Sequence, residues 1–494
     1  MKPGPVMVTA LLALASSLGA ADIPAHPRLL KFEPLVYHPP KAAPHRYALA
    51  NGAIVYLVED HVFPLVNISL TIRTGQYLEP LEKIGLAAMT GDQMRAGGTG
   101  SLSARDFDEE ADFLAASISS SIADTQGNAG LNCLTANLDA SLKLFFEMLR
   151  NPQFDQQRID LYKSRRLQAL ARRNDRTAEI EGREWERLLR GDRHFSTAQE
   201  TKASIESITR DDLIAFHRKY YQPASLIFAV SGDFPPKQML AKLEQAMSGW
   251  ETARPAVPKI PRPDHTPAPA VYMIHKPDVN QGRLSIGHLG VQRDNPDHYA
   301  LQVMNSILGG GAFTSRITSR VRSDEGLAYS ASSAMALGTY YEGTFRASFQ
   351  SKSATCAQAA AIVLEEIARI RKEKVSAEDL ATNVNYAIEV FPRFFSTPAQ
   401  VAGAFAGDEY TGRPPNYWET YRDRLRAVTD DDVLRVAQKY LDPDKLVILA
   451  VGNVDDILKG DPTKPEYSFQ KLAGRQPIRR LPLPDPVTMV YPQP

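Results

Sequence analysis

"SITRDDLIAFHRKYYQPASLIFAVSGD", residues 207–233, has a second copy in the same chain: "AVTDDDVLRVAQKYLDPDKLVILAVGN", residues 427–453. The two align without a gap at an offset of 220. Thr209 matches Thr429, Asp211 and Asp212 match Asp431 and Asp432, Lys219 and Tyr220 match Lys439 and Tyr440, Pro223 matches Pro443, and Gly232 matches Gly452. Each copy starts on a threonine that can cap a helix, with acids in the first turn that favour the positive end of the helix dipole. Proline then stops the helix, and "LIFAV" and "LVILAV" read as buried strands. Register held across a helix, a turn and a strand marks a duplicated unit, which must be settled before any fold is assigned.

Working outward, the copies extend upstream. "VNISLTIRTG", residues 66–75, alternates Val66, Ile68, Leu70 and Ile72, as a half-buried strand does, and "RLSIGHLGVQ", residues 283–292, stands at the matching place in the second half. His288 within it reads as structural. Two homologous units follow, 46–250 and 270–460. Between them, residues 251–269 form a Pro-rich linker: "ARPAVPKIPRPDHTPAPA", from Ala253, holds six prolines and favours an extended, semi-rigid spacer. Residues 22–45 and 461–494 read as extended arms. Helices are expected near 104–116, 138–150, 155–190, 209–221, 294–308, 314–325, 354–373, 377–391 and 430–440. Hairpin-like strands beside groups of helices give an α+β class.

Bulk properties narrow the function. Lys plus Arg and Asp plus Glu are 57 each, so the net charge is zero, which argues against a phosphate-rich partner. The opening "MKPGPVMVTALLALASSLGA" has one lysine, a short apolar run and small residues before position 21, the pattern of a cleaved signal peptide over residues 1–21. An exported chain with only Cys133 and Cys356 is not a disulfide scaffold. The basic stretch "KSRRLQALARRNDR", residues 163–176, reads as a solvated helical face.

Two further stretches bear on chemistry. "SILGGGAFTSRITSRVRSDEGLAYSASSAM", residues 306–335, runs from a glycine-terminated helix through a second helix to a strand. It brings Arg322 and Tyr329 to one place across the break at Gly326. By themselves, Arg322 could pair with Asp324 or Glu325, and Tyr329 could be a core aromatic. "EKIGLAAMTGDQMRAGGT", residues 82–99, has the outline of a helix that should carry a metal, yet holds no histidine.

"SRI…VRSDEGLAYS" resembles the pitrilysin/insulinase-type zinc peptidases, the inverzincins, a family that includes mitochondrial processing peptidase. The resemblance covers both units. It implies two homologous α/β sandwich-like units in tandem, forming half of a clamshell. It also implies an H-x-x-E-H zinc helix in one half and an Arg/Tyr pair seven apart in the other, here Arg322 and Tyr329. At the H-x-x-E-H positions stand Ala88, Gly91 and Asp92, and the stretch where a distal glutamate ligand is expected, "QQRIDLYKSRRLQALARRNDRTA", residues 156–178, has no glutamate and is basic. Ten histidines are present, no two within five residues, so no helical pair can bind zinc. The resemblance therefore implies a non-catalytic subunit that binds no zinc itself. A homologous H-x-x-E-H partner would hold the metal in an exported heterodimer acting on unfolded peptides. Rival classes are an inert structural subunit and a peptide-binding homodimer.

Overall fold

The computed structural model describes residues 26, 29–30, 36–250, 257–474 and 476–492. The expected signal peptide and the first residues of the linker lie outside them.

Both copies of the repeat fold as the sequence suggests. Thr209 and Thr429 each accept the N–H of the aspartate three residues on, and that aspartate's carboxylate accepts the threonine N–H, a reciprocal cap at both helices. The helices Arg210–Tyr220 and Asp430–Tyr440 lead into strands that are buried along their whole length, Leu226–Gly232 and Val447–Gly452.

The strands are β1 (Arg46–Ala48), β2 (Ile54–Glu59), β3 (Leu65–Ile72), β4 (Ser117–Ile122), β5 (Gly127–Leu134), β6 (Leu226–Gly232), β7 (Val271–His275), β8 (Gln281–Leu289), β9 (Ala328–Ala336), β10 (Thr344–Lys352), β11 (Val447–Gly452) and β12 (Ile478–Leu481). They form two six-stranded sheets, β1-β2-β6-β3-β5-β4 and β12-β7-β11-β8-β10-β9. Each repeat strand, β6 or β11, sits inside its sheet, parallel to one neighbour and antiparallel to the other. β3 alternates as expected, with Val66, Ile68, Leu70 and Ile72 buried and Asn67, Ser69 and Thr71 on the other face. The free edges are β4 and β9 at one side of each sheet. The other edges differ: β1 runs antiparallel to β2, whereas β12 runs parallel to β7. β12 comes from residues beyond 460, so the second sheet takes in part of the expected C-terminal arm.

The stretch expected as one helix over 155–190 is two, Gln156–Ala171 and Thr177–Arg190. The second leaves its own unit. Its Ile180, Trp185 and Leu189 pack with Tyr272, Ile274, Leu449 and Val451 of the second sheet. Glu181, almost fully buried, accepts from Arg283 (2.8 Å) and Ser285 (2.5 Å) and pairs with Arg346 (3.0 Å). In return, the helix Pro398–Thr411 lies on β2, β3 and β6 of the first sheet. Its Glu409 accepts from Arg46 and Tyr56, and its Tyr410 donates to the carbonyl of Thr125. Each half thus covers the other's sheet. His288 holds two backbone groups, the carbonyl of Leu289 (2.8 Å) and the N–H of Asp442 (3.2 Å). Burial pushes its pKa down, which fits a structural imidazole.

Candidate functional site

The first element to weigh is the helix Leu86–Ala96. Its N-terminal N–H groups are capped from outside: the Glu79 carboxylate accepts from Gly85 (3.1 Å) and Ala87 (2.9 Å). Burial pushes the Glu79 carboxyl up to about 7 against these two bonds, and Glu200 and Asp124 add to the rise. The three motif positions do not make a metal site. Ala88 offers a methyl group. Asp92 is half-buried and accepts from the Gln93 amide at 3.0 Å. Burial raises its pKa, with the Gln93 bond and Arg165 opposing. Gly91 lies against β4, and a Cβ there would sit 2.6 Å from the Ser121 carbonyl carbon. The place where a base would stand is filled by the backbone of a strand.

The neighbouring helix Gln156–Ala171 packs on this helix, and two of its basic residues are engaged elsewhere. Arg166 pairs with Glu200, and Lys163 donates to the carbonyls of Glu206 and Ile208. Among the described residues, no group of three or more His, Cys, Asp or Glu could hold a metal ion. Zinc does not fit the motif positions Ala88, Gly91 and Asp92. Cys133 and Cys356 are buried free thiols, and burial pushes the Cys356 thiol up to about 12.

The matching segment of the second unit has the same glycine contact. Gly309 lies against β9, where a Cβ would fall 2.6 Å from the N atom of Ser333. The backbone here departs from the α-helix: Ser306–Gly310 and Ser319–Asp324 are π-helical turns. Such turns often accompany functional sites because they redirect side chains. Arg322 stands on the second of them.

The structure brings Arg322 and Tyr329 together. The guanidinium carbon lies 4.9 Å from the Tyr329 ring centroid and 4.4 Å from that of Phe313. Tyr329 is 84% exposed on the edge strand β9, so it is no core aromatic. The surface ion pair does not form either: among the described residues, no carboxylate lies within 4 Å of Arg322. Glu325 instead takes the Gln358 amide (3.0 Å) and Lys464 (3.6 Å). Sequence reasoning missed Phe313, a lone aromatic after three glycines with no periodic partner to give it a role.

Residues 54–205 match the family described as Insulinase (Peptidase family M16), and residues 207–386 match the Peptidase M16 inactive domain. A Helicobacter pylori protein named non-peptidase homolog YmxG is 23% identical over 412 residues, 82% of this chain and 92% of its own. An M16 inactive domain from Pseudomonas fluorescens superposes with a TM-score of 0.74 at 24% identity, covering 82% of this chain and 97% of that one. The first half of the Escherichia coli periplasmic protease PqqL gives 0.71 at 17% identity, covering 90% and 99%. The chain belongs to the insulinase-type peptidase family M16, with two tandem family units.

Proposed function

We propose that this chain is the non-catalytic, substrate-binding subunit of an exported heterodimeric metallopeptidase. Its partner is a homologous chain carrying H-x-x-E-H and the zinc. The observation that carries this reading is a contrast within one molecule. The zinc-helix position is closed by a strand, while half-buried Arg322 and exposed Tyr329 stand together at a free sheet edge, with no acidic partner for the arginine among the described residues.

This chain's own contribution is binding. A peptide that adds a strand to β9 passes Tyr329, with main-chain hydrogen bonds giving affinity. The Arg322 guanidinium can hold a peptide carbonyl through its fixed donors, and the Tyr329 hydroxyl can donate to the same oxygen as charge builds on it. Export is supported by the N-terminal pattern, and the fold neighbour PqqL is a periplasmic protein. Among the described residues, no helix is long and apolar enough to cross a membrane.

The test is affinity isolation of this chain from a native envelope extract. A homologous H-x-x-E-H chain in equal amount is expected. In that complex, Arg322→Ala should lower peptide hydrolysis by roughly 10²-fold or more while leaving the complex intact. Recovery of the chain only with itself, or with subunits of a membrane complex, overturns the proposal in favour of an inert binding or structural role.

A further inference from the structure

Phe313 and Tyr329 are both large, and both are exposed, at 63% and 84%. Both rings meet one guanidinium, with the Arg322 carbon 4.4 Å from the Phe313 centroid and 4.9 Å from that of Tyr329. They arrive from different elements. Phe313 lies in the 3-10 turn Ala312–Thr314 after the three glycines, and Tyr329 is the second residue of β9. Arg322 comes from the π-helical turn between them. The glycine loop is held in place: the Thr314 hydroxyl donates to the Gly311 carbonyl (3.0 Å), and the Ser319 hydroxyl donates to the Phe313 carbonyl (2.9 Å). Ser319 opens the turn that bears Arg322, so the loop and the arginine are fixed to one another.

We infer that Phe313 is a third residue of this site, a positioning residue that stacks on Arg322 and fixes how it meets a ligand. This rests on the reading of Arg322 as a substrate-binding residue. A guanidinium with rings over it is a cation–π contact. It keeps the planar N–H fork open at its edge. The ligand class that fits is a planar oxygen acceptor of a peptide approaching in that plane, either a main-chain carbonyl or a terminal carboxylate. Stacking also restricts the long arginine side chain before the ligand arrives, which lowers the ordering cost of binding.

The experiment uses the full chain and a fluorescein-labelled unstructured peptide, made once with a free C-terminal carboxylate and once amidated. Binding is followed by anisotropy for wild type, Arg322→Ala, Phe313→Leu and Phe313→Trp, with thermal unfolding as the folding control. Phe313→Leu keeps an apolar side chain but loses the aromatic face, and should weaken binding by about two- to fivefold. Phe313→Trp should restore it. Preference for the free acid identifies the carboxylate as the acceptor, and equal binding of both peptides identifies the main-chain carbonyl. If Arg322→Ala weakens binding and Phe313→Leu does not, the role of Phe313 is overturned while the reading of Arg322 stands. If Arg322→Ala changes nothing, or wild type binds neither peptide, both fall.

Discussion

Gly91 shows what a single residue can and cannot reveal in sequence. That Ala88, Gly91 and Asp92 lack zinc ligands is legible from the letters alone. That the space itself is gone is not, because the strand that fills it lies some thirty residues further on. Two outcomes follow from the contact. Alanine is favoured over glycine inside a helix by about 1 kcal/mol, yet Gly91→Ala should destabilise the protein by about 1–3 kcal/mol, the range for overpacking. Denaturant unfolding measures the sign. For the same reason, combining Ala88→His, Gly91→Glu and Asp92→His should not yield stoichiometric zinc by metal analysis of the purified chain. Glu79 gives a pH dependence. Its folded pKa, about 7, stands above the ordinary value of 4.5. Between these values the folded state holds more protons than the unfolded one, so this carboxyl's contribution to stability falls as pH rises from 4.5 to 7. Glu79→Gln should flatten that slope in urea unfolding midpoints taken across the window.

At the scale of elements, the repeat was readable because its caps and strands are local signals. Thr209 with Asp212, and Thr429 with Asp432, need only neighbours three residues away. The helix expected over 155–190 was misjudged for the opposite reason. Residues 172–176, "RRNDR", contain no proline or glycine to announce a break. The break is imposed from a distance: Arg173 donates to the Glu200 carbonyl, Asn174 donates to that of Pro484, and the next helix must turn away to reach the second sheet. Glu181 is what fastens that helix. Its buried carboxylate faces two arginines, so Glu181→Ala leaves their charges without a partner. Removing one member of a buried ion pair costs about 3–5 kcal/mol. Arg283 and Arg346 keep roughly a third of their side chains in water. The loss should therefore fall at about 3 kcal/mol, the lower end of that range, read as a drop in chemical denaturation midpoint.

For the whole molecule, the exchange of helices changes what counts as a unit. The internal duplication divides the chain near residue 250, but packing does not. The first sheet is completed by Pro398–Thr411, whose Val401 and Phe405 are buried and whose Phe405 ring lies 6.1 Å from that of Tyr56. The second sheet is completed by Thr177–Arg190. The chain end adds a further tie, since Tyr491 donates to Glu184 of that helix and stacks on Arg187. Each half made alone would expose the apolar face its partner helix covers and leave the partner of a charged pair behind. A fragment of residues 39–250 should therefore show no cooperative thermal transition and should bind a hydrophobic dye. Cleavage of the full protein at a protease site placed within residues 257–268 should behave differently. The two pieces should stay together on a sizing column and unfold in one transition, because the exchanged helices and not the linker hold the halves. Independent folding of the 39–250 fragment, with backbone hydrogen exchange as slow as in the full chain, would show that the exchanged helix is dispensable.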